Sequence, residues 1–280
     1  RDWVLSRVAI QEPASGFRRR GQTHIAEWRD VEGLTGRAEK QGATHLLAAI
    51  QEMRPADAAS MIHDLPAERR RSVVAALDDE RLADVLEEMS PDDAADLIAD
   101  LPPETAATLL GLMEPEEAED VRRLMSYVEN TAGAMMTPEP VILGPDATIA
   151  DALAHVRNPE LTPSLAALVY VCRPPLETPT GKLLGVAHIQ RLLREPPSTL
   201  VAGALDDSME NLRPEATIDE VAAHLATYNL VAAPVVDDNG HLLGAVTVDD
   251  LLDHMLPEGW RDWATRPVSP PARRPGVSRG

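Results

Sequence analysis

Residues 89–104 read "MSPDDAADLIADLPPE", and residues 53–68 carry the same pattern as "MRPADAASMIHDLPAE". Between residues 53 and 125 the chain consists of successive units of about a dozen residues, each opening with proline or an acid and closing on Leu or Met. Proline at the first helical position sacrifices no hydrogen bond, and acids in the first turn favour the positive helix end. Because such short helices are marginal alone, the pattern predicts a stacked superhelix over residues 43–128.

The composition narrows the class of protein. The formal net charge is −20, which argues against nucleic acid or an anionic membrane surface as the main partner and favours cations or a basic protein surface. Aromatic residues are only 3%, so the core must be built from aliphatic side chains. The single cysteine, Cys172, excludes an intramolecular disulfide and is expected to be a buried apolar residue. No apolar run is long enough for a membrane span, so none is expected in this chain.

The acids of the repeat outnumber the bases. Residues 51–120 contain 20 Asp and Glu against five arginines, and the opening stretch has five acids and no base. Acids at helix starts explain part of this excess, but Asp92 and Asp96 lie one turn apart on one helix face, where like charges repel. Two interpretations stand: a solvated acidic face, or unpaired carboxylates that bind a cation.

The two ends of the chain differ from the middle. Residues 1–40 alternate apolar and polar residues in "WVLSRVAI" and "THIAEW", which predicts two strands. Because the chain begins with Arg1, these strands are expected to be the tail of a small β domain cut by the chain start. Residues 259–280 are rich in Pro, Arg and Gly, and are expected to form a disordered tail.

Residues 129–258 contain a second repeat. "PDATIADALAHV" (145–156) matches "PEATIDEVAAHL" (214–225), and "GKLLGVAHI" (181–189) matches "GHLLGAVTV" (240–248). Both helix starts fit the capping box, in which Ser or Thr is followed three residues later by an acid. Asn239–Gly240 between two apolar runs predicts a hairpin. Two modules follow, over residues 129–200 and 201–258, each with a strand, a helix, two strands and a helix.

This tandem unit resembles a CBS (Bateman) pair. Together with the acidic short helices and the junction "ENTAGAMMTPEPVIL" (129–143), it is similar to the cytosolic region of MgtE-type magnesium transporters. The implied fold class is multidomain α and α/β, with an N-terminal superhelix of short α-helices followed by the CBS pair. In that family carboxylates of the helical domain and the CBS pair hold Mg²⁺ between them, and the assembly closes an attached membrane pore when cytosolic Mg²⁺ is high. In this chain the acids at that boundary are expected to repel without the ion, so that the helical domain swings away. A hinge is therefore expected near residues 129–136.

The resemblance also implies the residues that bind the ion. Its metal ligands fall on Asp92, Asp96, Asp219, Asp250 and Asp253. One further family acid corresponds here to Asn229, which weakens that particular site. Mg²⁺ takes carboxylate oxygens while keeping several waters, so scattered acids suit it.

Adenine nucleotide is the second ligand that the resemblance implies. CBS pairs use a Gly-x-x-Ser/Thr-x-x-Asp pattern, which the second module keeps as Gly244, Thr247 and Asp250. The first module departs from it, with Gly185, His188 and Arg191 at the aligned positions. Nucleotide binding is therefore expected to be weak or absent.

The function expected from these features is Mg²⁺ sensing in the cytoplasm by a homodimer joined through its CBS pairs, acting on a membrane transporter or another protein. The chain is either a protein without a pore or the cytosolic gating part of a transporter; a nucleotide sensor whose acids are only solvated is the third alternative. No catalytic constellation is recognisable, so an enzyme is not expected. No zinc site is expected at the dispersed histidines His63, His155, His188 and His224.

Overall fold

The computed structural model describes residues 7–11, 23–27, 46–159, 161–206, 208–257 and 260. Its N-terminal part is a succession of short helices, as the repeat predicts. They are α1 (46–52), α2 (Pro55–His63), α3 (Ala67–Val74), α4 (Asp79–Glu87), α5 (Pro91–Ala99), α6 (Pro103–Leu112) and α7 (Pro115–Met125).

Proline begins most of these helices, and alternate helices pack together. Pro55, Pro91, Pro103 and Pro115 stand at the first helical positions, where no amide hydrogen bond is lost. Helix α2 packs on α4, α4 on α6, and α5 on α7, which builds the superhelix. Among helices α2 to α7, Asp78 is the one N-terminal residue whose side chain caps its helix, by accepting from the Arg81 amide. Acids also lie in the first turns of the other helices, where they favour the positive helix end without a capping hydrogen bond.

The two CBS-like modules share the order helix, strand, strand, helix. The first contains β3 (Ile142–Leu143), α9 (Ile149–His155), β4 (Leu168–Cys172), β5 (Leu183–His188) and α10 (Ile189–Leu192), and it follows the short helix α8 (Ala132–Met135). The second contains α11 (Ile218–Tyr228), β6 (Ala232–Val236), β7 (Leu242–Thr247) and α12 (Val248–Met255). The predicted first strand is present as β3 in the first module and is reduced to a single parallel bridge, Leu212 with Val235, in the second. Short 3-10 helices span Leu165–Ala167 and Val201–Ala204.

Local sequence signals account for these elements. Thr148 with Asp151, and Thr217 with Glu220, form the two predicted capping boxes. The predicted hairpin is also present: β6 pairs antiparallel with β7, and Gly240 in the turn has a φ of 80°. In the first module β3 and β4 are parallel, while β4 and β5 are antiparallel.

The two strands predicted near the N-terminus are present as β1 (Arg7–Gln11) and β2 (Thr23–Glu27). They pair antiparallel, with Arg7 opposite Glu27. The loop between them and the predicted C-terminal tail lie outside the described residues, except for Trp260.

One apolar core runs from the helical domain into the second module. It includes Ile98 of α5, Met135 and Met136 of the junction, and Val246 and Leu251 of the second module. A separate core fills the first module, and a third lies between the strands of the two modules around Tyr170 and Cys172, which is buried as predicted. The predicted fold class is confirmed. The first of these cores provides the apolar contact between the helical domain and the second module.

The junction is more tightly held than the sequence predicts. Ala132 donates its amide to the Ala216 carbonyl and Gly133 to that of Pro214, each at 2.8 Å. Thr131 bridges Thr217 of the second module, so residues 128–130 are the exposed part of the junction, with Val128 75% exposed. The hinge near residues 129–136 stays a prediction, and the backbone bonds of residues 131–133 leave residues 128–130 as its place. Within the described ranges, no helix has the length and apolar character needed to cross a bilayer.

Candidate metal-binding cleft

Two helices bring acids to the boundary between the helical domain and the second module. Helix α5 supplies Asp92 and Asp96, four residues apart on one face, and the first turns of α12 supply Asp250 and Asp253. These four side chains line one cleft of about 170 Å³. The remaining lining residues are Arg70, Asp93, Ala134, Met135 and His254. The structure therefore brings together four of the five acids named from the resemblance.

Asp92 is the most unusual of these acids. It is only 8% exposed, and its Oδ1 atom has no hydrogen-bond partner among the described residues. Burial, followed by the charges of Asp250 and Asp93, raises the pKa of Asp92 well above its usual range. A buried carboxylate without a partner is costly unless a cation or proton compensates it.

Asp96 and Asp93 have basic neighbours. Asp96 lies 3.6 Å from His254, measured from Oδ2 to Nε2, and burial raises its pKa to about 6 although the charge of His254 opposes the shift. Asp93 Oδ2 lies 3.0 Å from His63 Nδ1 and accepts from Ser90 Oγ at 2.7 Å. Burial acts to raise the pKa of Asp93, but hydrogen bonding and the charge of His63 lower it overall.

Asp250 is positioned by the start of α12. Its Oδ2 atom accepts from Thr247 Oγ1 at 2.8 Å, while its own amide donates to that hydroxyl at 3.4 Å. This capping box holds the carboxyl at the cleft. Burial raises the pKa of Asp250 to about 6, against the lowering effect of the Thr247 hydrogen bond.

Asp219 and Asn229 lie elsewhere. Asp219 is exposed in the first turn of α11 and does not line the cleft. Its metal role stays a prediction, for a site separate from this one. Asn229 ends α11 in the left-handed conformation, with φ 53° and ψ 46°. Asn tolerates that conformation better than most residues, so its presence has a backbone reason.

The residues predicted for nucleotide binding are engaged in local structure. Thr247 and Asp250 bond to each other, and a Cβ at Gly244 would collide with the Thr137 carbonyl oxygen and lie 3.0 Å from Met136. In the first module, Arg191 donates to the carbonyls of Leu205 and Gly203. Nucleotide binding stays a prediction.

Sequence reasoning missed Arg70, Asp93 and His254 and set His63 aside. The expectation that the acids of 89–104 are all unpaired is wrong, because Asp93 contacts His63, Asp96 contacts His254, and Asp100 lies 3.4 Å from Arg71. These partners come from other helices, so no spacing within the stretch reveals them. Adjacency to Asp92 was the one available signal for Asp93.

Comparison with known proteins identifies the two kinds of domain in the chain. The profile of the MgtE intracellular N domain matches residues 39–130, and that of the CBS domain matches residues 132–198 and 207–257. A solved structure described as the soluble part of a magnesium transporter is 30% identical, with a TM-score of 0.66, and the match covers 74% of this chain and 80% of that one. The chain belongs to the MgtE family.

Two other MgtE proteins match this chain, one over a shorter stretch and one at lower sequence identity. The magnesium transporter MgtE of Thermus thermophilus is 33% identical over 143 residues, which are 51% of this chain and 31% of that protein. The cytosolic domain of the Mg²⁺ channel MgtE in complex with ATP is 28% identical, with a TM-score of 0.51, covering 78% of this chain and 98% of that one. The chain thus spans about a third of the curated relatives' length. An actinomycete SH3 domain profile matches residues 1–37, which include β1 and β2.

Proposed function

We propose that this chain is a cytoplasmic Mg²⁺-responsive regulatory module in which carboxylates of the boundary cleft bind Mg²⁺ and switch the arrangement of the two domains. The observation that carries the proposal is Asp92, a buried carboxylate with an unpartnered oxygen in a cleft lined by acids of both domains. Membership of the MgtE family supports it.

The donors of the cleft fit Mg²⁺. Asp92, Asp96, Asp250 and Asp253 would hold the ion, which takes one or two carboxylates directly and keeps several waters. Among the described residues, no three His, Cys, Asp or Glu side chains are already close enough to form a complete metal cage. A partly hydrated ion needs no such cage. Bound Mg²⁺ supplies positive charge that removes the repulsion between the two helices.

The switch is a balance of two interactions. The continuous apolar core favours contact between the domains, while the acids of α5 and α12 oppose it. At a Mg²⁺ concentration ten times the dissociation constant, one site contributes about 1.4 kcal/mol. That is enough to shift an equilibrium poised near balance, and too little to hold the fold itself.

Small-angle scattering tests this proposal. The wild-type radius of gyration is expected to fall on adding millimolar Mg²⁺, and Asp250→Asn with Asp253→Asn is expected to abolish the change. The control is Asp146→Asn with Glu177→Gln, which removes two exposed acids of the first module outside the cleft. Equal radii with and without Mg²⁺ in the wild type would contradict the proposal.

The partner is a separate proposal. The matched relatives are magnesium transporters, so the module is proposed to act as the gating part of such a transporter or as a separate regulator of one. Extending the reading frame beyond Gly280 distinguishes these two forms, because a following series of apolar segments would indicate the attached pore.

An adenine-nucleotide sensor is the second candidate, supported by the ATP complex of the relative and by Gly244, Thr247 and Asp250. Against it, Thr247 and Asp250 already bond to each other. Calorimetric titration with ATP, with and without Mg²⁺, is expected to show weak or no binding. Tight ATP binding that ignores Mg²⁺ would favour the nucleotide sensor instead.

A further inference from the structure

Arg70 of α3 places a permanent positive charge in the acidic cleft. Its side chain lines the cleft together with acids of α5 and α12. Its Nε atom is buried and has no hydrogen-bond partner in the described part of the chain. Neighbouring Arg71, by contrast, is paired with Asp100 at 3.4 Å and does not line the cleft. Arg70 is therefore held at the boundary without being committed to one carboxylate.

The field of Arg70 acts on the acids of the helical domain. Arg70 lines the same cleft as Asp93 and Asp96 of α5, so its positive charge offsets part of their negative charge. Arginine suits such a place because its guanidinium stays charged at any physiological pH and carries little hydration. The positive charge is thus present whether or not a metal ion is bound.

We infer that Arg70 is a built-in counter-ion. It keeps part of the population in the closed arrangement, in which the two domains are in contact, when Mg²⁺ is absent. Arg70 thereby sets the ratio of compact to expanded chain without the ion. This inference deepens the proposed function and rests on it. The helical side of the cleft carries three acids, and the second module contributes two. One positive charge on the helical side offsets part of this negative charge and so weakens the repulsion across the boundary.

Arg70 belongs to the helical domain, so opening the boundary does not remove it from Asp93 and Asp96. Arg70 affects the equilibrium between open and closed arrangements through the closed one. There, the helical side of the cleft presents a smaller net negative charge to Asp250 and Asp253 than it would without Arg70. Added Mg²⁺ supplies the same compensation in larger amount. Loss of Arg70 should therefore be most visible without Mg²⁺ and should disappear at saturating Mg²⁺.

The test compares four variants by small-angle scattering in EDTA and in saturating Mg²⁺. Arg70→Gln and Arg70→Met remove the charge, and Arg70→Lys keeps it. Arg69→Gln is the matched control, because it removes the same charge from an exposed neighbour on α3 that does not line the cleft. The two neutral Arg70 variants are expected to raise the ratio of expanded to compact chain in EDTA about threefold or more. Arg70→Lys and Arg69→Gln are expected to match the wild type.

Each other outcome has a defined meaning. Neutral Arg70 variants that match the wild type in EDTA would overturn the inference, even if the wild type still responds to Mg²⁺. Variants that stay expanded or unfold at saturating Mg²⁺, or an Arg70→Lys variant that behaves like Arg70→Gln, would also overturn it by making Arg70 a packing residue. A wild type without any response to Mg²⁺ would instead contradict the proposed function.

Discussion

At the scale of single residues, the boundary cleft is lined by carboxyl groups whose ionised form is disfavoured by burial and by neighbouring negative charge. Asp92 is the extreme case, because its buried oxygen has no partner among the described residues while Asp93 and Asp250 add negative charge nearby. A residue that served only the fold would be neutral here. The presence of an acid at this position is explained if a bound cation compensates the buried negative charge of Asp92.

Asp92→Asn is expected to stabilise the protein while removing its response to Mg²⁺. A raised pKa means that ionising Asp92 costs stability above its ordinary titration range, and the amide avoids this cost. In EDTA at pH 7.5 we expect the free energy of unfolding to rise by about 1–2 kcal/mol. Urea unfolding measures this free energy. The control is Asp84→Asn, at an exposed acid of α4, whose free energy of unfolding is expected to stay within about 0.5 kcal/mol of the wild type. A destabilised Asp92→Asn would show that the carboxylate has a favourable partner.

The pKa of Asp250, about 6, predicts how stability depends on pH without Mg²⁺. Because the folded-state value lies above 3.8, the contribution of this group is fully present below that pH and is lost as pH rises through about 6. We expect the free energy of unfolding in EDTA to fall between pH 5 and 7.5, by about 1 kcal/mol from Asp250. Urea unfolding of Asp250→Asn should show a smaller fall, and an identical slope would contradict the assignment.

At the scale of elements, short α8 and the tip of α7 form the joint between the domains. The junction backbone bonds to residues 214 and 216 of the second module. Gly133 allows close approach, since a Cβ there would lie 2.7 Å from the Tyr127 ring and 3.0 Å from Pro214. The joint is therefore a packed contact, preceded by the exposed residues 128–130.

Gly133→Ala is expected to loosen this joint. The added methyl must displace the Tyr127 ring, which costs about 1–3 kcal/mol. The melting temperature should therefore fall by several degrees. Gly111→Ala is the matched control, because nothing lies within 4 Å of a Cβ there and the residue is helical, so its melting temperature should rise slightly. Calorimetry showing equal changes in both variants would contradict the packing account.

At the scale of the whole molecule, one helix serves two surfaces. Helix α12 presents Asp250, Asp253 and His254 to the cleft, while Leu252 and Met255 remain 43% and 49% exposed. Exposed apolar side chains on a helix are available for association with a second chain. A partner bound there would lie next to the cation cleft.

The chain is expected to form a homodimer through the apolar side chains of α12. Replacing Leu252 and Met255 with Gln should weaken dimerisation about tenfold or more, since both side chains would lose apolar contact. Light scattering across a concentration series measures the effect. Leu112→Gln, an exposed leucine of α6, should leave the mass unchanged. A monomeric wild type at micromolar concentration would rule out this mode of association.

The sequence by itself determined the local structure and the kinds of ligand to expect. Proline and acids at regular intervals define the helix starts, and Thr148–Asp151, Thr217–Glu220 and Asn239–Gly240 define two caps and a turn. These signals can be recognised in the sequence because they act between residues a few positions apart. At that separation, local backbone geometry alone determines which residues are in contact.

Only the tertiary structure decided which acids share the cleft and what surrounds them. It joined Asp92 and Asp96 to Asp250 and Asp253, left Asp219 outside, and added Arg70 and His254. It also showed that Met135 and Met136 connect the cores of the two domains. The physical reason is that burial and charge depend on side chains far apart in the sequence, which meet only when the helices pack, and no local spacing encodes such meetings.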